Sequence, residues 1–522
     1  MSVTVSGSAK TRLPQRTWLL STGLFVTICA LSKLLIHLYA NRFYGYFTDE
    51  LYYLDCARHL AWGYVDQPPL VAFVARIERG LLGDTLSSIR FLPALAGAAK
   101  ILLTGLIARD LGGGRFAQGL AALSVLVAPG FLGMDNLLSM NPFEPLFWMG
   151  CAWFVLRIIQ TGNQKLWLAV GLIAGLGLEN KHSMLIYGLG LVGGLALTRQ
   201  RRSFTSRWFW TGLALAFVLF LPNLLWNIYN RFPFLELQHN IREDGRNVQL
   251  GALAFWGQET LAMLPISLPI WLAGGWFLFF DREGHRYRVL GWSCAVSFVV
   301  IYLMNPRVYY IWPAFPLLFA AGSVLWERWL SMPRWGALRV VYPLLMILLG
   351  AVLAPTLLPI LPVSVYIRYA TALHIETPQI EHWKLGPLPQ LYASQFGWEE
   401  MVAQVAAVYN GLPLERRERT AIFAQNFGQA GAIDLFGKKY GLPDALSGHQ
   451  NYFLWGPHGY SGESVIVLQG RHEELEKLYT SVEWRAHVSH PYSMPREQGD
   501  IYYCTGLKWP LQEVWPSVKN WH

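Results

Sequence analysis

Apolar runs of about twenty residues, each long enough to cross a bilayer, recur through the first two thirds of this 522-residue chain. They predict membrane-spanning helices at roughly 18–39, 91–108, 116–133, 143–159, 166–178, 183–197, 210–229, 262–280, 289–304, 309–326 and 340–361, about eleven in all. After about residue 362 the pattern changes. Strand-like runs fall at 420–424, 451–455, 464–468 and 501–505, and helical periods at 399–409, 429–440 and 473–479, which together predict a small α/β domain. The predicted fold class is therefore a polytopic α-helical membrane protein (residues 1–361, with a first outer loop at 41–90) carrying a soluble α/β domain (362–522). In the first loop, 50–62 reads as an amphipathic helix lying in the membrane interface. Asp66-Gln67-Pro68-Pro69-Leu70 makes a sharp stop, and a second amphipathic helix follows over 70–82.

Composition agrees: 53% of residues are hydrophobic and only 14% charged, against about a quarter charged in soluble domains. The net charge of +9 is concentrated in alternate connections, at Lys10/Arg12/Arg16, Arg109/Arg115, Arg157/Lys165, Arg199/Arg201/Arg202/Arg207, Arg282/Arg286/Arg288 and Arg328/Arg334/Arg339. By the positive-inside rule these face the cytoplasm, with the amino terminus. The basic excess is a topology signal and excludes nucleic acid as the reason for it. The amino terminus resembles a signal sequence, but its apolar stretch is long and lacks a small-residue cleavage site, so it reads as an uncleaved first helix. An odd span count leaves the α/β domain outside. Five cysteines show neither metal-ligand spacing nor a disulfide framework and read as packing residues.

With that orientation, the polar outliers collect on the outer face. Asp49 and Glu50 follow the first span, and Asp135, Asn136, Asn141 and Glu144 lie between the third and fourth. Glu179, Asn180, Lys181 and His182 lie between the fifth and sixth, and Asn305, Pro306, Arg307, Tyr309 and Tyr310 between the ninth and tenth. Ionisable groups at membrane depth are costly and mark functional sites. Carboxylates can take or steer a proton, and Lys and Arg can hold a phosphate and offset charge on a leaving group. Asp49, Glu50 and Glu144 are the catalytic candidates. Lys181 and Arg307 are the phosphate-binding candidates, with Arg58 and Arg90 of the first loop as further ones. Tyr46, Asp66, Gln67, Asn141, His182, Tyr309 and Tyr310 would line the pocket. The same residues also admit plainer roles: Asp49 and Glu50 as helix caps, Lys181 and Arg307 as snorkelling anchors, and His182 as a hydrogen-bonded helix end.

The layout resembles the GT-C membrane glycosyltransferases, and among them the bacterial members of glycosyltransferase family 39, relatives of the dolichyl-phosphate-mannose protein mannosyltransferases and the lipid A aminoarabinose transferases. The resemblance runs from about Leu19 to Glu327. It rests on Thr48-Asp49-Glu50, Asp66-Gln67-Pro68-Pro69-Leu70, Arg90-Phe91-Leu92-Pro93, Asn141-Pro142-Phe143-Glu144-Pro145-Leu146, Gly175 to His182 and Arg307 to Pro316. The lysine that precedes Pro-Pro in the aminoarabinose transferases is Gln67 here. The resemblance implies an inverting transfer of a sugar from a polyprenyl-phosphate donor to a lipid, glycan or protein acceptor, on the outer face of a bacterial cytoplasmic membrane. It also implies that Asp49 activates the acceptor, that Glu144 is a second acid and that Lys181 and Arg307 face the donor phosphate. No motif requires a cofactor, and a divalent metal stays open. Two other readings compete. A lipid or sugar transporter would place polar groups at the midplane and show a helical repeat; neither is visible. A non-catalytic assembly protein would tolerate replacement of Asp49 and Glu50.

Overall fold

The structure is a computed structural model that describes residues 23–304, 307–375 and 381–522. Lys10, Arg12, Arg16, the start of the first apolar stretch, Asn305 and Pro306 lie outside the described residues.

Helices stand at the apolar stretches, but their lengths differ from the expectation. Among the described residues five are long and apolar enough to cross a membrane, and six if Ala252–Ala262 and Pro265–Phe279, bent by 99°, form one broken span. Leu24–Ala40, Arg115–Val127 and Met184–Ala196 are apolar but shorter. Local chemistry explains the interruptions. Pro129 separates Arg115–Val127 from Pro129–Met134, because proline cannot continue the helical hydrogen-bond ladder. The helices pack closely where side chains are missing. A Cβ on Gly322 would lie 1.8 Å from the Ile270 carbonyl oxygen, and one on Gly274 2.1 Å from that of Leu318. Helices Leu268–Phe279 and Phe315–Leu330 therefore touch backbone to backbone.

One ionic cluster is sealed inside this bundle. Asp135 forms an ion pair with Lys33 at 2.9 Å and accepts a hydrogen bond from Lys100 at 2.8 Å, and all three side chains are fully buried. The Lys33 ammonium also donates to the Phe131 carbonyl, and His37 sits one turn on with its ring against the Leu132 carbonyl. The cluster joins the helix Leu24–Ala40 to Phe91–Asp110 through the turn at Asp135.

The carboxy-terminal part holds a five-stranded sheet: β1 Thr420–Ala424, β2 Leu446–Ser447, β3 Ser464–Leu468, β4 Tyr479–Val488 and β5 Gly499–Leu507, in the order β2-β1-β3-β5-β4. β1 runs parallel to β2 and β3, and β5 antiparallel to β3 and β4. Asn451–Trp455 is a short helix, not a strand. Its aromatics anchor it from one side, with Phe453 stacked on Trp515. The edge strand β4 escapes the sequence pattern because most of its residues are solvent-facing or half-buried.

The outer loop contains Thr48–Cys56 and Leu70–Leu82, the second as expected. The first departs from the expectation: it ends at Cys56, and Leu51 to Cys56 are all buried, so it does not lie in the interface. The helix Phe427–Phe436 lies across it, admitted by Gly431, where a Cβ would meet the Leu51 carbonyl oxygen at 2.7 Å. One apolar cluster contains Leu51, Leu54, Val71 and Ala75 together with Trp398, Ile422, Ile466 and Ile501. A line at 361/362 thus divides the sequence but runs through a shared core.

Candidate active site

The two adjacent acids at the start of the first outer helix have different surroundings. Glu50 is fully buried. Its carboxylate accepts from Arg90 at 2.8 Å (Nε) and 2.6 Å (Nη2), from the Phe47 amide at 2.8 Å and from the Leu138 amide at 2.8 Å. Arg90, also fully buried, donates to this carboxylate and to the Gly45 carbonyl, and its Nη1 has no hydrogen-bond partner among the described residues. With every lone pair of Glu50 engaged and Arg90 closed off from solvent beside it, the structure corrects both assignments. The pair closes the helix start and joins three segments. Glu50, not Asp49, caps this helix.

Asp49 is partly exposed, and its carboxylate makes no hydrogen bond or ion pair among the described residues. Burial raises its pKa from 3.8 to about 6, with Glu381 adding to the rise and Arg307, Arg246 and Arg496 opposing it. Asp66 is its acidic neighbour. Burial lifts Asp66 to about 7 against the Tyr52 hydroxyl, which donates to it at 3.1 Å, and the Asp49 charge contributes to the lift. Two under-solvated carboxylates thus share one electrostatic neighbourhood, and both are poised to bind or release protons near neutrality.

The cationic side is built by segments far apart in sequence. Arg307 donates to Asn247 at 3.3 Å, to the Tyr309 hydroxyl at 3.2 Å and to Glu381. Arg246 pairs with the same Glu381 oxygen at 2.9 Å. Arg496, from the sheet domain, lies over the Trp383 ring at 4.5 Å, with Arg246 at 5.5 Å from that ring. Glu381 also accepts from Trp383 and Gln390 at 2.8 and 2.9 Å. Burial alone would raise Glu381, but Arg307 and Arg246 outweigh it and hold it at about 2. Of these residues the sequence pointed only to Arg307. Arg246, Glu381, Trp383 and Arg496 stand in polar stretches with no local motif.

Lys181 and Glu144 come together, but on each other. The ammonium donates to Glu144 at 2.8 Å and to Asn141 at 2.9 Å, and Ser183 donates to the other Glu144 oxygen. The stacked rings of Tyr309 and Tyr310 close over the ammonium, at 5.0 and 4.3 Å. Glu144 is paired with Lys181 and 3% exposed, so it is placed to orient Lys181. The two tyrosines connect this pair to Arg307.

Four other expected site residues stand elsewhere. Arg58 is held by Asp55 and Asp444, each at 2.8 Å, under the sheet domain. Gln67 is fully buried against Cys56. Tyr46 donates to the Asp84 carbonyl and packs on Phe436. His182 bonds to Asn223, whose amide holds the Trp62 carbonyl. All four tie the outer loop to its neighbours, and the structure corrects Arg58 as a phosphate ligand and the other three as pocket residues. All five cysteines are buried and unpaired. Among the described residues no three His, Cys, Asp or Glu side chains converge to hold a metal ion.

Residues 66–226 match the family model described as dolichyl-phosphate-mannose-protein mannosyltransferase. Over 299 residues the chain is 25% identical to the lipid A galacturonosyltransferase RgtD of Rhizobium johnstonii, a match that covers 55% of this chain and 62% of that protein. The structure of ArnT from Cupriavidus metallidurans bound to undecaprenyl phosphate superposes with a TM-score of 0.56 at 15% identity, covering 94% of this chain and 98% of that one. This chain has the fold of that ArnT structure. The apo form of the same ArnT agrees, with a TM-score of 0.55 at 16% identity over 93% of this chain and 97% of that one. With five helices long and apolar enough to cross a membrane among the described residues, the chain is a multi-pass membrane protein. The family match includes Asp66, Glu144 and Lys181, while Asp49, Arg307, Glu381 and Arg496 lie outside it.

Proposed function

We propose that this GT-C protein is a polyprenyl-phosphate-dependent glycosyltransferase of the cytoplasmic membrane, acting on its outer face with inversion. The amino terminus is inside and the sheet domain outside. The observation that carries the reading is Asp49: an unengaged, partly exposed carboxylate facing a cluster of arginines at the outer membrane boundary. Support also comes from the undecaprenyl phosphate bound by the ArnT structure of the same fold and from the glycosyl-transferring activities in the names of the matched family and relative.

The acceptor hydroxyl oxygen attacks the anomeric carbon, its proton passes to ionised Asp49, and the bond from that carbon to the phosphate oxygen breaks with its electron pair going to the phosphate. Arg307 and Arg246, with the Tyr309 hydroxyl, hold the phosphate and stabilise the charge gathering on it. Glu381 holds the two guanidiniums together where the phosphate would lie. Lys181, oriented by Glu144 and covered by the tyrosine pair, adds positive potential behind them. Asp66 lies on the Asp49 side and orients the incoming hydroxyl.

The test is incubation of the purified full-length chain with labelled polyprenyl-phosphate sugars and a membrane extract. Label transferred from the donor into an extractable product, with release of polyprenyl phosphate, is expected. Transport of intact donor between leaflets without bond cleavage would overturn the proposal.

A further inference from the structure

A polar cavity of about 880 Å³ lies at the opposite end of the bundle, lined by Arg199, Arg201, Arg202, Ser203, Thr205 and Ser206 among others. Its floor is a 3-10 turn, Arg199–Thr205, between the helices Met184–Ala196 and Arg207–Tyr229. Thr198 starts the turn: its hydroxyl accepts from the Gln200 amide and donates to the Gly194 carbonyl at 2.8 Å. A 3-10 turn superposes residues three apart, so Arg199 and Arg202 stand one above the other, with Arg201 beside them.

The positive-inside rule accounts for basic residues here, but not for the convergence of three of them on one cavity. In the neighbouring cytoplasmic connections some of the arginines are matched by acids. Arg109 and Arg157 pair with Asp110 at 2.9 and 3.7 Å, and Arg328 pairs with Asp281 and Glu283 at 3.3 and 2.5 Å. Among the described residues no carboxylate pairs with Arg199, Arg201, Arg202 or Arg207, and neither 162–166 nor 197–206 contains an acid. Lys165 and Arg207 add charge at the rim, both over Trp208 at 5.8 and 4.9 Å. The Ser203 side chain is buried in the same turn.

We propose that this cavity binds the phosphodiester headgroup of an anionic phospholipid in the cytoplasmic leaflet. Three unmatched guanidiniums with hydroxyl donors between them fit a phosphodiester, which accepts bidentate hydrogen bonds, and basic pockets on this side of a bundle take such headgroups. The surroundings favour a lipid over a soluble anion. The adjoining helix Arg207–Tyr229 is only 22% buried inside the protein. Trp210, Leu213 and Phe217 are 55%, 51% and 53% exposed, giving acyl chains a surface that leads away from the cavity. Trp210, its indole donating to the Phe204 carbonyl at 2.8 Å, marks the interface.

The experiment uses the purified full-length chain, with phosphatidylglycerol titrated against phosphatidylcholine and bound lipid counted by native mass spectrometry. Each arginine near an anionic surface is worth roughly a fivefold change in binding. The triple variant R199Q/R201Q/R202Q should therefore lose phosphatidylglycerol binding by about a hundredfold, with phosphatidylcholine unaffected. Arg202→Gln alone leaves most of the topology signal in place and should lose about fivefold, which decides the matter if the triple variant fails to insert. Unchanged binding in either inserted variant overturns the site. Inorganic pyrophosphate is titrated in parallel. Failure to displace the lipid is expected, and displacement at equal concentration would make a soluble phosphate the ligand and overturn the lipid assignment.

Discussion

Replacing Asp49 with Asn should make the protein more stable and much less active, and the two effects have one origin. The Asp49 carboxyl is held at about 6 instead of 3.8, chiefly by burial. A shift of about two pH units corresponds to about 3 kcal/mol at about 1.4 kcal/mol per unit. Part of the side chain stays in contact with water, so about 1–2 kcal/mol is a fairer figure. The folded-state value lies above the unfolded one, so ionising Asp49 costs stability. That cost is absent below about pH 4, develops between 4 and 6, and is complete above 6. Asp49→Asn removes it. The variant should melt about 1–3 °C above the parent at pH 7.5, with the gain vanishing by pH 4, when followed by tryptophan fluorescence in detergent. If Asp49 takes the acceptor proton, turnover should fall at least about a hundredfold, and the parent's kcat/KM should decline below about pH 6, with Asp66, at about 7, steepening that limb. A helix-capping Asp49 predicts the reverse: lower stability at every pH above 4 and nearly normal turnover. Either of those results would refute the assignment.

Arg307→Met should weaken apparent donor affinity by about ten- to a hundredfold, the scale of a lost charged hydrogen bond, read as a rise in donor KM; an unchanged KM would move the phosphate site elsewhere. Lys181→Met leaves Glu144 buried without its counter-ion and should destabilise the fold by about 3–5 kcal/mol, whereas Lys181→Met with Glu144→Gln should recover most of that stability but not donor use, as melting and donor titration would show. Glu50→Gln breaks a buried, doubly bonded pair with Arg90 and should lower expression and melting temperature without a selective change in KM; a folded variant with altered donor KM alone would return Glu50 to the active site. Because all five native cysteines are buried, Glu473→Cys, at an exposed position, should be the dominant target of an impermeant thiol reagent on intact cells, and labelling that needs permeabilised membranes would invert the topology.

What the sequence revealed and what it hid follow from the range of the interactions involved. Hydrophobic period and length are local, so the helices and the strands β1, β3 and β5 could be located directly, as could the sharp stop before Leu70–Leu82. Pairing is not local. Asp49 and Glu50 are neighbours with the same chemistry, but successive residues on a helix point about 100° apart. One therefore faces Arg90, forty residues away, and the other faces the open site. No property of the dipeptide separates them; only the partner does. The same holds for Lys181, whose charge belongs to Glu144, and for Arg58, claimed by Asp444 of the sheet domain. Arg246, Glu381 and Arg496 meet only because the sheet domain packs onto the outer loop, so no segment alone contains their signal. Lys33 and Lys100 are a different case. They lie inside apolar stretches, where an ammonium is costly without a partner, and that cost should have singled them out as strongly as it did Asp49. Their counter-ion, Asp135, lies between them and was assigned to the outer site. A charge inside a span therefore calls for a buried opposite charge in another span before any acid near the surface is counted as free for catalysis, and on that count Asp49 is left available while Asp135 is not.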